Sequence, residues 1–233
     1  MKKLSLMKAM VMVLACGMLL CGCTTEDEKV KSTSGQLTSD KETDVQTKED
    51  DNKGTSNQES DVEEGDYLSG KYTVEIVMKD LGTIRVELDA DAAPITVTNF
   101  VKLVEADFYD GLTLHRIMEG FMMQGGDPTG TGMGGSEETI KGEFAYNGVE
   151  NNLSHTRGAI SMARSQKYDS ASSQFFIVHE DSTFLDGQYA CFGYVTEGME
   201  IVDEICESAI VEDNNGTVRP ENQPVIESIS VVE

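Results

Sequence analysis

The sequence is short of several features that would each indicate a particular class of protein. It has no tryptophan, so no binding site in it can use an indole N–H donor. Its 18 basic residues are outnumbered by 42 acidic ones, and the formal net charge of -24 excludes nucleic acid as a partner. Its five cysteines lack zinc-type spacing, and neither H-E-x-x-H nor G-x-S-x-G occurs. We therefore expect no metal and no cofactor.

The first 22 residues have the pattern of a signal peptide. A basic start precedes an apolar run from Ala9 to Leu20, too short to span a membrane but suited to a secretory signal. The run ends in Leu20-Cys21-Gly22-Cys23, which resembles a bacterial lipobox. This resemblance implies cleavage before Cys23, a lipid anchor on Cys23 and attachment to the bacterial cell membrane on its extracytoplasmic side. The alternative is an ordinary cleaved signal with incidental cysteines.

The second segment runs from Cys23 to residue 66. Residues 24–66 contain 14 acidic and five basic residues, no aromatic residue and only four large aliphatic ones. Such a composition cannot bury enough apolar surface to offset the entropy lost on ordering. We predict that residues 23–66 are a disordered acidic tether. We interpret its charge as solvation, and a specific basic partner is the alternative.

From Tyr67 the composition changes to that of a folded domain, and several runs in it alternate apolar and polar side chains in the manner of β-strands. Two alternating runs joined by Asp80-Leu81-Gly82 predict a hairpin over 72–89. Pro94 and the apolar spacing that follows it predict a helix over 94–106, and a second helix is expected over 199–206. The remaining strands are predicted at 112–117, 120–124, 158–163, 174–178, 190–196 and 224–232. Many short strands with two helices indicate a mainly β barrel or sandwich.

Several short blocks between Tyr72 and the C-terminus carry the most specific signal. They are His115-Arg116-Ile117 with Gly120 to Gly126, Ser161-Met162-Ala163, Ser173 to Ile177, and Leu185-Asp186-Gly187 with Phe192-Gly193. In this order they closely resemble the cyclophilin family of peptidyl-prolyl cis-trans isomerases. The resemblance implies that 67–233 is a closed eight-stranded antiparallel β-barrel capped by two α-helices. It also implies a monomeric, cofactor-free enzyme acting on proline-containing unfolded or partly folded polypeptides, which here are exported ones.

The resemblance also assigns roles to single residues. It implies that Arg116 is the catalytic residue, whereas an isolated arginine in such a strand would be interpreted as half of a surface salt bridge. Gln124 and Gln174 would orient substrate carbonyls and Arg116. Strand alternation, independently of the resemblance, predicts that Phe175 faces the core, opposite to Phe176. The implied substrate-binding set is Phe121, Met122, Gln124, Ala163, Arg164, Gln174, Phe176, Phe184, Leu185 and Tyr189. Within it, Ala163 and Arg164 would contribute their backbone.

Three positions differ from residues frequent in the family. Phe184 stands where many members have tryptophan, which argues against sensitivity to cyclosporin because the indole donor is missing. Tyr189 replaces a frequent histidine at the pocket rim. Arg164 replaces a frequent asparagine, a change from which we expect little effect because the relevant contacts come from the backbone.

Other motifs are interpreted as structural. Residues 130–135 match the dinucleotide pattern G-x-G-x-x-G but lack a β-α-β context, so we predict a flexible loop beside the pocket. The three histidines, His115, His155 and His179, are expected to be satisfied structural residues, with His155 bonded to backbone near a turn. Cys191 and Cys206 are expected to be unpaired, with a disulfide as the alternative.

Two other functions remain open at this stage. A non-catalytic module that binds proline-containing segments would share the pocket but would not need Arg116. A hydrolase is disfavoured because the sequence offers no evident pairing of a nucleophile with a base.

Overall fold

The computed structural model describes residues 66–232. The predicted signal peptide, the lipid-bearing Cys23 and the tether up to residue 65 lie outside the described residues. Within 66–232, no helix combines the length and the apolar character needed to cross a membrane.

Eight strands form one antiparallel sheet in the order β3-β4-β6-β5-β7-β2-β1-β8. All the predicted strands are present, with ends within three residues of the predicted ones. Their bounds are β1 Lys71–Met78, β2 Gly82–Asp89, β3 Thr113–Met118, β4 Met122–Asp127, β5 Ala159–Met162, β6 Phe175–Val178, β7 Cys191–Glu197 and β8 Ile226–Val232. The mainly β, eight-stranded antiparallel prediction is therefore confirmed.

The two end strands of this order, β3 and β8, approach each other at one place. Thr113 forms a bridge with Val225, and Leu114 N–H donates to the Pro224 carbonyl at 2.9 Å. Ile226 N–H donates to the Leu112 carbonyl at 2.8 Å. Closure of the sheet into a barrel along the full length of these strands stays a prediction.

Two helices pack on the sheet, as predicted. Helix α1 (Pro94–Glu105) buries Val97, Phe100, Val101 and Val104, and α2 (Met199–Ser208) buries Ile201, Val202, Ile205 and Cys206. In both helices the buried residues recur at spacings of three and four, so they form one apolar face directed at the core. Phe100 lies at the centre of this core, with its ring 5.0–5.5 Å from those of Tyr109, Phe175 and Phe192.

The start of α1 is capped by a residue far away in the sequence. Its N-cap position, Ala93, has no side chain that could accept a hydrogen bond, although Pro94 suits the first turn. The buried carboxylate of Glu143 accepts the N–H groups of Ile95 at 3.0 Å and Thr96 at 2.7 Å. The negative charge of Glu143 also interacts favourably with the positive end of the helix dipole. Through these hydrogen bonds Glu143 fixes α1 to the loop before β5.

Candidate active site

A shallow, largely apolar pocket opens between β3, β4, β6 and the turn that precedes β7. The pocket unites eight of the predicted site residues: Arg116, Phe121, Met122, Gln124, Ala163, Phe176, Leu185 and Tyr189.

Strand alternation divides the apolar residues between this pocket and the main core. Along β6, Phe175 and Ile177 belong to the main core, whereas Phe176 and Val178 belong to a second cluster beneath the pocket. The predicted inward position of Phe175 is therefore correct. Because β4 pairs with both β3 and β6, Gln124 lies between Arg116 on one strand and Phe176 on the other.

Arg116 is held at the pocket by neutral acceptors on several sides. Its Nε–H donates to the Asn215 backbone oxygen at 2.8 Å, and Nη1 donates to Gln124 Oε1 at 3.3 Å. Nη2 lies 3.1 Å from the Met118 sulfur, and the guanidinium carbon lies 5.9 Å from the centre of the Phe121 ring. The guanidinium thus reaches across the mouth of an apolar pocket in a fixed orientation.

The charge of Arg116 has no carboxylate partner within 4 Å among residues 66–232. The surface salt-bridge interpretation is therefore wrong for this residue. Burial lowers the pKa of Arg116 below its usual value, and more distant Tyr189 and Asp213 act in the opposite direction. Since the ordinary arginine pKa is so high, the group stays protonated at neutral pH and presents an unneutralised cation to the pocket.

A line of amides connects Arg116 to the loop after β4. Gln124 accepts from Arg116 and donates through Nε2 to Gln174 Oε1 at 2.8 Å. Gln174 donates in turn to the carbonyls of Gly132 at 3.1 Å and Gly134 at 2.7 Å. This arrangement fixes which end of each amide carries the oxygen, so the oxygen of Gln124 faces the guanidinium.

The loop over 128–135 is tightly bonded, so the prediction of a flexible loop there is wrong. The buried Asp127 carboxylate accepts the backbone N–H groups of Thr129, Thr131, Gly132 and Gly134 at 2.6–3.2 Å. Although burial opposes ionisation, these hydrogen bonds to Thr129, Gly134 and Gly132 hold the pKa of Asp127 below its usual value. The glycines serve the curvature of this loop, and Gly132 has a φ of +84°.

Asp127→Ala should destabilise the protein by about 2 kcal/mol at pH 7, because several charge-assisted hydrogen bonds lose their acceptor. Since the folded-state pKa is lowered, the advantage of the wild type is present above the ordinary carboxyl pKa and disappears as the pH falls through the folded value. Chemical denaturation of both proteins between pH 7 and pH 3 measures this difference. Glu137→Ala, an exposed change two residues after this loop, is the control. A difference that does not shrink as the pH falls below the ordinary carboxyl pKa would contradict the role of the carboxylate.

The rim of the pocket formed by Phe184 and Tyr189 is aromatic. Phe184 is 64% exposed, and its ring lies 5.7 Å from that of Phe121, so it extends the apolar surface outside the pocket. The Arg164 guanidinium lies 4.6 Å from the Tyr189 ring, and it also covers the rings of Phe144 and Tyr168 at 5.0 and 5.2 Å.

The side chain of Arg164 therefore packs at the rim of the site, while the expectation that this residue contributes to substrate binding through its backbone stays a prediction. This side chain ties the pocket-lining Tyr189 to two further rings and donates to the Gln188 carbonyl at 2.7 Å. The Ala163 N–H donates to the Gln174 carbonyl at 2.9 Å, so it is already used within the protein. For pairing with a substrate, Ala163 can therefore offer its carbonyl only.

His155 connects the strand under the pocket to the turn that carries Leu185. Its Nδ1 lies 2.8 Å from Asp186 Oδ1 and its Nε2 lies 3.0 Å from Ser161 Oγ. The ring of His155 therefore bonds two side chains, and the prediction that it bonds backbone is wrong. This serine–histidine–aspartate line was not expected from the sequence. Ser161 and His155 are fully buried, however, so no substrate reaches the hydroxyl, and the line is a structural brace. The imidazole ring of His155 also stacks on the ring of Phe176, with the two ring centroids 6.0 Å apart.

The other two histidines differ from each other. His179 accepts the Gly120 N–H at 2.9 Å and lies 3.2 Å from Asp203, so it is satisfied as predicted. His115 is buried, and neither ring nitrogen has a hydrogen-bond partner, so the prediction of a satisfied residue is wrong there. Burial lowers the pKa of His115, which keeps the ring neutral at pH 7.

Cys191 and Cys206 are free and buried, as predicted, and burial raises the pKa of each thiol to about 12. Neither thiol is a nucleophile at neutral pH. Among residues 66–232, no group of three or more histidine, cysteine or acidic side chains could hold a metal ion.

Sequence reasoning missed the residues that position Arg116 and the pocket from a distance. Asn215 lies 99 residues after Arg116, and Asp127 was not singled out. Asn214-Asn215-Gly216 is a turn signal, but nothing in the local pattern reports which strand the turn will touch.

The fold and this pocket define a mainly β protein with an apolar pocket beside the guanidinium of Arg116. Residues 73–231 match the family model described as cyclophilin type peptidyl-prolyl cis-trans isomerase/CLD. The chain belongs to this family, and it is an enzyme of the cyclophilin type.

Individual relatives agree with this assignment. Peptidyl-prolyl cis-trans isomerase B of Bacillus subtilis is 44% identical over 137 residues, which cover 59% of this chain and 92% of the relative. A peptidyl-prolyl cis-trans isomerase of Helicobacter pylori is 40% identical over 154 residues, or 65% of this chain and 91% of the relative. A crystal structure of a cyclophilin type isomerase of Cryptosporidium parvum in the presence of the dipeptide Ala-Pro is 30% identical. It covers 69% of this chain and 99% of its own, with a TM-score of 0.61.

Proposed function

We propose that this enzyme accelerates cis–trans isomerisation of X–Pro bonds in exported polypeptides as they fold, with Arg116 as the catalytic residue and without a cofactor. The proposal combines the isomerase family of the chain with the geometry around Arg116. The observation that carries it is a guanidinium without an ion pair, fixed by neutral acceptors at the mouth of an apolar pocket.

The reaction needs no nucleophile. An X–Pro bond prefers the trans form by only about 0.5–1 kcal/mol, but interconversion is slow because the amide resonance must be broken. A catalyst must therefore bind the twisted amide more tightly than either planar form. Twisting localises the lone pair on the proline nitrogen, so a fixed hydrogen-bond donor beside that nitrogen gains strength only in the transition state.

The pocket residues divide this task. Met122, Phe176 and Leu185 form the apolar floor for the proline ring, and all three are at most 5% exposed. With the ring held there, the chain on one side of the bond rotates while Arg116 donates to the nitrogen or to the adjoining carbonyl. Gln124 keeps the guanidinium from turning away, because its oxygen is held towards Arg116 by Gln174. The presence of Ala-Pro with the Cryptosporidium isomerase is consistent with a proline site in this fold.

The site of action is the outer side of a bacterial membrane. The segment 1–22 and the lipobox-like Leu20-Cys21-Gly22-Cys23 support a lipid anchor at Cys23. The acidic stretch that follows would separate the isomerase domain from the bilayer. In this location the clients are proline-containing chains that fold after export, and the domain acts as a monomer whose sheet closes into a barrel without exposed edges.

A protease-free isomerisation assay on a proline tetrapeptide tests the enzymatic proposal. We expect the purified protein to accelerate return to equilibrium after a jump in the cis content, in proportion to its concentration and equally well after removal of metals with a chelator. Binding of the peptide without any acceleration would favour the alternative, a non-catalytic module that holds proline-containing segments.

A further inference from the structure

The loop from Asp213 to Thr217, which we call the Asp213 loop, lies against the outer edge of β3. Thr217 forms a bridge with Arg116, and Ile117 N–H donates to the Gly216 carbonyl at 2.8 Å. Since β3 is an end strand of the sheet and pairs with β4 on one side, this loop pairs with its other backbone edge. The loop thus sits on the same strand segment that presents the catalytic arginine.

The Asp213 loop also holds the guanidinium itself. The Nε–H of Arg116 donates to the Asn215 backbone oxygen at 2.8 Å, which is shorter than its 3.3 Å bond to Gln124. The Asn215 side-chain oxygen lies 3.5 Å from Nη2. Gln124 and the Asp213 loop therefore both accept hydrogen bonds from Arg116, and the bond to the loop is the shorter one.

The carboxylate of Asp213 gives this loop its shape. Its Oδ1 accepts the N–H groups of Asn215 at 2.9 Å and Thr217 at 3.1 Å, and its Oδ2 accepts the Thr217 hydroxyl at 3.0 Å. These bonds hold the pKa of Asp213 below its usual value, so the carboxylate stays ionised and remains an acceptor at neutral pH. They lie on both sides of the Asn215 carbonyl, at the N–H groups of Asn215 and Thr217.

Gly216 permits the close approach between the loop and the strand. Its φ is +82°, and a Cβ built at this position would lie 2.3 Å from the Ile117 carbonyl oxygen. The loop can therefore lie on β3 only with glycine at this position.

We propose that Asp213 is a positioning residue for catalysis, which folds the Asp213 loop so that the Asn215 carbonyl fixes the guanidinium of Arg116 before substrate binds. Asp213 is exposed and does not line the pocket, and it is not within ion-pair distance of Arg116. Its charge acts on Arg116 from a distance, and its hydrogen bonds act through the Asn215 carbonyl. A prearranged donor needs no reorganisation in the transition state, whereas a free arginine side chain samples several rotamers. This inference rests on the proposed role of Arg116.

The first test separates turnover from binding. In the isomerisation assay, Asp213→Ala should lower kcat about tenfold and leave KM unchanged, because orientation is lost while the pocket is intact. Asp213→Asn retains one side-chain oxygen for the two N–H groups and should restore most of the activity. Asp181→Ala is the matched control, since Asp181 is an exposed loop residue whose carboxylate accepts one backbone N–H away from Arg116. The proposal would be overturned if Asp213→Ala kept the wild-type kcat, or if its KM rose by as large a factor as its kcat fell.

The second test is a double-mutant cycle with Arg116→Ala. If Asp213 acts only through Arg116, adding Asp213→Ala to Arg116→Ala should cause no further loss of kcat, whereas a further tenfold loss would show a general structural effect and overturn the proposal. The cycle also distinguishes the two levels of inference. Full activity in Arg116→Ala would refute the proposed role of Arg116, while an inactive Arg116→Ala beside a fully active Asp213→Ala would refute only the positioning role. Thermal unfolding of each variant checks that the fold is retained.

Discussion

Arg116→Ala should lower kcat/KM for isomerisation of a proline tetrapeptide by about 100-fold, in the range found when one transition-state donor is removed from other enzymes. Peptide affinity, measured separately by titration, should change much less. The reason is that the apolar floor of Met122, Phe176 and Leu185 holds the ring in both planar forms, whereas Arg116 gains strength only when the nitrogen becomes basic.

The lysine variant sharpens this prediction. Arg116→Lys keeps a positive charge but has no Nε–H for the Asn215 carbonyl and no fork that can reach Gln124 at the same time. We expect it to resemble Arg116→Ala more than the wild type. Arg219→Lys is the matched control, because Arg219 is an exposed arginine whose partner, Glu212, is a carboxylate. Parallel losses of rate and affinity in Arg116→Ala would indicate a ground-state binding role and contradict the assignment.

Cys23→Ala should abolish attachment of a fatty acid almost completely and leave the apolar segment 1–22 uncleaved. Two or more acyl chains give stable anchoring, and the described residues 66–232 contain no helix able to cross a membrane. The measurement is the distribution of the protein after washing membranes at high pH, combined with labelling by a radioactive fatty acid.

Two outcomes of this experiment are informative. Cys16→Ala is the control, since Cys16 precedes the proposed cleavage point, and it should leave both label and membrane location unchanged. Label that survives in Cys23→Ala, or a wild-type protein that takes up no label, would contradict the lipoprotein proposal and favour an ordinary cleaved signal. Neither result would bear on the chemistry of Arg116, because the pocket is made entirely of residues after 115.

Much of the fold followed from local pattern. Alternation in 72–79 and 83–89 placed the first hairpin, and the spacing of Val97, Phe100, Val101 and Val104 placed α1. The period of two also separated Phe175 from Phe176 correctly, because neighbours on a strand face opposite sides of the sheet.

The hydrogen bonds that position the site could not be predicted from local sequence patterns, because the partners in most of them are far apart in the sequence. Asp127 faces its loop only because the chain turns back through Gly132 and Gly134, and the Asp213 loop meets β3 only through the sheet order. The line from Ser161 through His155 to Asp186 depends in the same way on a turn placed 31 residues after the histidine. Residue types suggested the pocket, whereas tertiary hydrogen bonds determine its geometry.

The most direct test of the account is the exchange rate of a proline peptide while it is bound. NMR exchange spectra of a peptide saturated with wild-type protein, and with Arg116→Lys, separate isomerisation on the enzyme from dissociation. We predict rapid cis–trans exchange in the bound wild-type complex, a rate at least tenfold lower in Arg116→Lys, and similar dissociation rates for both. Equal bound exchange rates in the two proteins would contradict the claim that a fixed guanidinium stabilises the twisted amide.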